Sequence, residues 1–188
     1  MERSFEAVLV EQCATTLAGV KPASLFRYQG ADQRQSREAA ARWAKELAPY
    51  GITVRILKVC PQTGACLIYL YRAGWLRSIL SEPSNRAFLA GQGYGADQSC
   101  QELLRQLSRR LCLEREFPHE IGVFLGYPLE DVVGFIRNRG RNYTCCGYWK
   151  AYGDPEAARK RFDQYRRCTA ACCEQFRQGA AITQLIAA

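Results

Sequence analysis

Apolar and polar side chains alternate through two stretches in the first half of the chain, in the pattern of paired strands. Residues 52–60 alternate branched apolar with polar side chains, and 65–71 repeat the pattern after a Pro-Gln-Thr-Gly turn at 61–64. A shorter apolar run at 23–28 follows Pro22. We therefore predict a small antiparallel sheet, made of a hairpin at 52–60 and 65–71 and a short strand near 23–28.

Helical spacing dominates the rest of the chain. Between Glu2 and Leu17 the apolar residues recur at the intervals that place them on one helical stripe. A second helix is predicted from Asp32, as its N-cap, to Leu47, with Pro49 beyond its end. The other predicted helices are 75–80, 83–91, 97–113, two short ones around 117–122 and 126–136, and a last one from Asp154 to about Arg177. The helix at 97–113 has an apolar face, which is made of Cys100, Leu103, Leu104, Leu107 and Leu111. The glycine- and aromatic-rich stretch 137–153 is predicted to be an ordered loop with some extended backbone.

The order of these elements, with strands early and helices late, predicts the α+β class. About six to eight helices would pack with the small antiparallel sheet. No linker or internal repeat divides the sequence, and 188 residues suit one domain of ordinary size. We predict a single domain over 1–188, with a sheet-containing part at 1–95 and a helical, cysteine- and aromatic-rich part at 96–188.

Composition indicates where the protein is located and the redox state of its cysteines. The sequence contains no run of about 18 apolar residues that would span a membrane, and the acids at Glu2 and Glu6 do not fit a signal peptide. These features predict a cytoplasmic protein. Its ten cysteines are then expected to be mostly reduced. Core packing is the competing interpretation for each of them, because cysteine behaves as a small apolar residue.

Positive charge is concentrated at the end of the chain. Residues 137–188 carry ten Lys and Arg against four Asp and Glu, which is +6 of the net +8. An acidic partner would meet the protein there: a phosphorylated ligand, nucleic acid, an acidic protein or a membrane surface. A solvated arginine-rich helix face is the alternative. Cations are interleaved with aromatic rings, so the predicted ligand-binding residues are Arg139, Arg141, Asn142, Tyr148, Trp149 and Lys150.

Nucleic acid is the less favoured partner. The sequence lacks RNP, KH and zinc-knuckle motifs. The two short helices around 117–122 and 126–136 resemble a helix-turn-helix reader in their spacing. However, Glu130 and Asp131 begin the second of them, and acids there oppose its entry into a DNA groove.

Thiols and the single histidine suggest a second kind of site. His119 precedes a predicted helix, whose dipole favours the neutral imidazole that binds metals or accepts protons. Cys168 and Cys172 are four residues apart and share a helical face. The hypothesis is a metal or redox site that binds zinc, an iron–sulfur cluster or haem. Its predicted residues are His119, Cys13, Cys145, Cys146, Cys168 and Cys172.

Two alternatives to this site stay open. The cysteine spacing matches no standard metal signature, so structural cysteines are the first alternative. A catalytic pair of cysteine and histidine would need a thiolate close to His119 and a pocket. Whether the protein is an enzyme, and its oligomeric state, do not follow from the sequence.

Several sequence blocks resemble a known family. They are residues 13–26 (CATTLAGVKPASLF), 117–122 (FPHEIG), 124–128 (FLGYP) and 142–153 (NYTCCGYWKAYG), together with Tyr165 and Cys168. The chain is similar over nearly its whole length to an uncharacterised domain family of anaerobic Gram-positive, clostridial-type bacteria. The resemblance implies a cytoplasmic protein of anaerobes and leaves its mechanism open.

Overall fold

The computed structural model describes residues 3–187, and within the chain two compact units are distinguished. The first runs to Gly74 and resumes at Arg167, and the second is Trp75–Arg166. The prediction of a single domain is not decided by this division and stays a prediction.

A three-stranded antiparallel sheet forms the first unit together with its helices. The order is β1-β3-β2, with the third strand in the centre. The central strand is the most apolar of the three, which suits its burial between two neighbours. The predicted hairpin and the predicted short strand are thus confirmed. The strands are β1 (Ala23–Tyr28), β2 (Ile52–Val59) and β3 (Cys66–Arg72).

Two helices of the first unit pack on this sheet. Helix α1 (Phe5–Leu17) contacts β1, and α2 (Gln33–Leu47) contacts β2. The Asp32 side chain accepts a hydrogen bond from the Gln35 amide at 2.7 Å, so its predicted role as N-cap is confirmed. Glu2, where the first helix was predicted to begin, lies outside the described residues.

Short helices make up most of the second unit. The longest of them begins with a capping box, in which Ser99 and Glu102 exchange hydrogen bonds. Four leucines of its predicted apolar stripe are buried: Leu103, Leu104, Leu107 and Leu111. The helices are α3 (Ala73–Ser81), α4 (Pro83–Gly91), α5 (Cys100–Leu113), α6 (Ile121–Phe124) and α7 (Leu129–Asn138).

A small hairpin and a long helix complete the chain. Strands β4 (Cys145–Cys146) and β5 (Lys150–Ala151) lie in the segment predicted to be an ordered loop with extended backbone. Helix α8 (Pro155–Arg177) begins in the second unit and ends in the first. Residues 3–187 thus contain eight α-helices and two small antiparallel sheets, and the α+β class is confirmed. None of the described helices is long and apolar enough to cross a membrane.

Candidate functional site

The hairpin of β4 and β5 carries the Cys-Cys-Gly-Tyr-Trp-Lys block. Cys145 pairs with Ala151, and Cys146 pairs with Lys150. The Gly147 amide donates to the Trp149 carbonyl at 3.0 Å, so the chain reverses direction at Tyr148. The Tyr148 side chain is 39% exposed, which makes it an aromatic group available to a ligand.

One buried carboxylate holds this hairpin against α7. Asp131, which is 4% exposed, accepts a hydrogen bond of 2.7 Å from the indole N–H of Trp149. It also accepts bonds from the backbone amides of Tyr152, at 2.6 Å, and Gly153, at 3.1 Å. A buried carboxylate needs such donors, because desolvating an unpaired charge is costly. The sequence indicated Asp131 only as part of an acidic helix start.

Aromatic packing fixes the inner face of the hairpin. The ring of Trp149 stacks on Tyr127 with centroids 4.8 Å apart and meets Phe162 of α8 edge-on at 4.6 Å. Tyr148 in turn contacts Tyr165 edge-on at 5.1 Å. Trp149, a predicted ligand-binding residue, is thus engaged in packing and in the hydrogen bond to Asp131. Tyr148 alone of these two neighbours presents its ring to solvent.

Gly147 allows the hairpin to approach α8 closely. A Cβ atom at this position would lie 2.3 Å from Cδ2 of Phe162, which is far inside van der Waals contact. The position therefore requires glycine for space. This close approach brings the cysteine pair of β4 to the side of α8.

A groove of about 590 Å³ lies between the hairpin and the first turns of α8. Arg159 is exposed, and its guanidinium makes no hydrogen bond or ion pair with any other residue in 3–187. Arg166 forms an ion pair with Asp163, its neighbour on the helix. The groove thus combines thiols, an aromatic ring and two guanidinium groups. Its lining is Cys145, Cys146, Gly147, Tyr148, Arg159, Phe162, Asp163 and Arg166.

Comparison with known proteins places this chain in a family. A family model described as "Protein of unknown function (DUF3793)" matches residues 9–186, a span that includes the hairpin and the groove. The chain belongs to this family. No curated protein and no solved structure matches it. The predicted membership of an uncharacterised domain family is confirmed, whereas the anaerobic Gram-positive source stays a prediction.

The other predicted ligand-binding residues of this DUF3793 member lie outside the groove lining. Arg139, Arg141 and Asn142 are exposed on the loop after α7. Lys150 donates a 2.8 Å hydrogen bond to the Gly140 carbonyl, and its Nζ lies 5.0 Å from the centre of the Tyr143 ring. Its ammonium is therefore used in closing the loop.

His119 lies on an aromatic surface of the second unit. Its exposed ring packs 4.8 Å from the Phe135 ring and 6.0 Å from the Phe117 ring, measured between centroids. Its carbonyl accepts the Gly122 amide at the start of α6. These contacts are those of a packing residue on a surface.

Three of the predicted site cysteines lie in the first unit. Cys13 has no exposed surface, and burial raises the pKa of its thiol. Burial, and then the neighbouring Cys172, raise the pKa of Cys168 to about 11. Burial likewise raises the pKa of Cys172. At neutral pH all three are protonated thiols, the form that neither attacks nor ligates well.

The structure gives the predicted metal centre no support. Among residues 3–187, no group of three or more His, Cys, Asp or Glu side chains is arranged to hold a metal ion. Zinc and iron–sulfur sites take three or four protein ligands. The six predicted residues are divided between the first unit, with Cys13, Cys168 and Cys172, and the second, with His119, Cys145 and Cys146.

Glu120, which follows His119 in the sequence, is a buried acid that was not predicted from the sequence. Glu120 is 4% exposed and binds Arg110 Nη1 at 2.6 Å and the Tyr94 hydroxyl at 3.0 Å. This cluster ties the loop before α6 to α5. The only signal in the sequence is its position next to Ile121 in an otherwise apolar block, which is too weak to indicate burial.

Proposed function

We propose that this protein is a non-enzymatic binding module whose groove holds a small, planar and negatively charged ligand. The observation that carries the proposal is that the exposed ring of Tyr148 and the guanidinium of Arg159, which has no partner among residues 3–187, line one groove. A planar group would stack on the ring, and an anionic group such as a phosphate would meet the guanidinium. A nucleotide has both parts.

Size and charge support a small ligand over a polymer. A volume of about 590 Å³ falls within the range of small-molecule sites. Arg166 adds a second guanidinium, although Asp163 offsets part of its charge. A nucleic-acid strand would instead need a basic track that continues beyond one ligand. Arg139 and Arg141 do not extend the groove lining and so provide no such track.

The test is a calorimetric titration of the full chain with ADP, adenosine and inorganic pyrophosphate. We expect ADP to bind more tightly than either of its parts, and the binding to weaken at high salt because the charges are exposed. Arg159→Ala should weaken ADP binding about 10-fold or more, as expected for loss of a hydrogen bond to a charged group. Tyr148→Ala should weaken adenosine and ADP together.

Lys160→Ala is the matched control. Lys160 is exposed on α8 next to Arg159 but does not line the groove, so its removal changes the net charge equally. Equal losses from both variants would show a non-specific charge effect and contradict the proposal. The absence of saturable binding for all three compounds would do the same. If a further titration with single-stranded DNA alone showed saturable binding, nucleic acid would be favoured instead.

A cytoplasmic location is part of the proposal. Within residues 3–187, which hold all ten cysteines, no disulfide bond is formed, which suits a reducing compartment. Immunodetection in fractionated cells would test it, and recovery in an oxidising compartment with paired cysteines would contradict it.

A further inference from the structure

Two adjacent cysteines line the same groove. Cys145 is half-buried and Cys146 is exposed, and both are free thiols. Adjacent α-carbons are 3.8 Å apart, so the two sulfurs need only side-chain rotation to approach one atom. Successive side chains of a long strand point to opposite faces. Here β4 is two residues long and ends at the Gly147 turn, and both cysteines line the groove.

The chain contains a second adjacent pair that serves as an internal comparison. Cys172 and Cys173 lie in the helical part of α8, with Cys172 buried at 6% exposure. Burial raises the pKa of both thiols. On a helix, adjacent side chains diverge and cannot both face one ligand. Both pairs are adjacent in the sequence, but only Cys145 and Cys146 line the same groove.

The number of donors limits what such a pair can hold. No third His, Cys, Asp or Glu among residues 3–187 completes a metal group around it. Tetrahedral zinc would therefore lack half of its ligands. This arrangement fits a soft metal or metalloid with a low coordination number. Two thiolates would complete its coordination, together with a ligand that it already carries. The guanidinium groups of Arg159 and Arg166 offset the negative charge of the thiolates.

We propose that Cys145 and Cys146 form a dithiol site that chelates a soft, low-coordinate metal or metalloid centre in the groove. The site rests on the thiols and does not depend on the binding of an anionic ligand. With phenylarsine oxide as the probe, each sulfur forms one bond to arsenic. The oxide oxygen leaves as water with the two thiol protons, and no atom changes its oxidation state.

The test treats the full chain with phenylarsine oxide in reduced buffer free of dithiols, followed by native mass spectrometry. One arsenic per chain is expected, removed by added dithiothreitol and retained with an equal concentration of monothiol. Cys145→Ser and Cys146→Ser should each weaken binding about 100-fold, because the second bond no longer benefits from a high effective concentration. Cys112→Ser, at an exposed single cysteine, and Cys173→Ser should have no effect.

Peptide mapping of the wild-type chain makes the test independent of how the variants fold. Tryptic cleavage separates the three peptides that contain more than one cysteine: 142–150 with the hairpin pair, 168–177 with the three helical cysteines, and 59–72 with Cys60 and Cys66. Arsenic on 142–150 supports the site. Arsenic on either of the others, or no stable adduct, overturns it. Because the readout is the position of arsenic, its failure is distinct from a failure to bind ADP.

Discussion

Lys21 is a lysine side chain buried in the first unit, where only 7% of its surface is exposed. It lies near Cys13, and the neighbouring hydroxyls of Thr16 and Ser24 are 2.8 Å apart and also buried. Burial lowers the pKa of Lys21 to about 8 from its usual 10.5, because desolvation disfavours the ammonium. The first unit therefore contains a titratable group that changes charge slightly above neutral pH.

This burial predicts a pH dependence of stability. Between about pH 8 and 10.5 the unfolded chain binds a proton at Lys21 that the native chain does not, so the native state gains stability as pH rises. Relative to Lys21→Met, the wild-type free energy of unfolding should increase by about 2 kcal/mol from about pH 7.5 to about pH 9.5. Urea titrations of both proteins across this range measure it.

The comparison with Lys21→Met removes contributions that both chains share. Burial raises the pKa of Cys13, so that thiol has the opposite effect: above about pH 9 it lowers stability as pH rises. Taking the difference cancels it. Lys45→Met, at an exposed position of α2, should show no pH dependence relative to wild type. A flat difference for Lys21→Met as well would contradict the burial of a titrating ammonium.

At the scale of elements, the hairpin of β4 and β5 depends on a carboxylate that lies in another element. Asp131 Oδ1 accepts from both backbone amides and Oδ2 accepts from the Trp149 indole, so Asp131→Asn turns an NH2 group toward at least one of these three donors. We expect Asp131→Asn to lower the free energy of unfolding by about 2–3 kcal/mol. The backbone amides of Tyr152 and Gly153 should exchange their hydrogens faster, because a neutral amide oxygen accepts their hydrogen bonds more weakly than a carboxylate does.

Glu130→Gln is the control for Asp131→Asn, since both remove one negative charge from the first turn of α7. Glu130 is exposed, so its substitution should cost only the small interaction of an acid with the helix dipole. Equal costs for the two substitutions would mean that the three hydrogen bonds contribute little.

Gly147 offers a second test of how the hairpin meets α8. Gly147→Ala places a methyl group 2.3 Å from the Phe162 ring and should destabilise the protein by about 1–3 kcal/mol. Gly91→Ala, where no atom lies within 4 Å of the added carbon, should be neutral or stabilising. Adding Phe162→Leu to Gly147→Ala should recover part of the loss. Thermal unfolding of these three variants beside the wild-type chain measures the effects, and a neutral Gly147→Ala would contradict the packing.

These elements also show what could be predicted from the sequence. The sheet and most helices follow from local sequence patterns. Examples are the alternation of apolar and polar residues at 52–60, and the helix whose N-cap is Asp32 and whose end at Leu47 precedes Pro49. The hairpin of β4 and β5 was predicted only as extended loop, because two-residue strands are too short to alternate. What fixes it is Asp131, about twenty residues away in sequence from the amides that it binds.

The candidate site, too, was predictable only where local sequence patterns indicate it. Tyr148 was predicted because cationic and aromatic side chains are interleaved around it in the sequence. Arg159 was not predicted. Helical periodicity indicates which residues share a face of α8, but it does not indicate which turn of the helix lies next to the hairpin. Cys145 and Cys146 were predicted as part of a larger set that also contained Cys168 and Cys172. The spacing of cysteines along the chain does not reveal that the latter two belong to a buried face.

At the scale of the whole molecule, the basic end of the sequence is shared between two units. Its aromatic loop and the first turns of α8 belong to the second unit, and the turns from Arg167 onward belong to the first. In the first unit the same helix supplies Cys172 to the core, with Cys168 and Phe176 packed against it. The residues of 137–188 therefore have two structural roles: some line the groove of the second unit, and others pack in the core of the first.

Because one helix contributes to both units, we expect the chain to unfold in a single cooperative transition. Neither half of α8 is long enough to form a stable helix alone, since an isolated helix shorter than about 12–15 residues is marginal in water. Unfolding one unit would thus remove part of the helix that the other needs. In urea, the far-ultraviolet circular dichroism and the fluorescence of Trp149 should change at the same midpoint, as the single-domain prediction requires.

A single-tryptophan variant separates the second unit from the rest of the chain in this experiment. Trp149 reports on the second unit once Trp43 and Trp75 are replaced by Phe, whereas far-ultraviolet circular dichroism reports on the helices of both units. Adding Asp131→Asn, which acts in the second unit, should lower the midpoints seen by fluorescence and by circular dichroism equally. A shift confined to Trp149, or two separate transitions in the parent chain, would show that the units unfold independently and that the chain contains two domains.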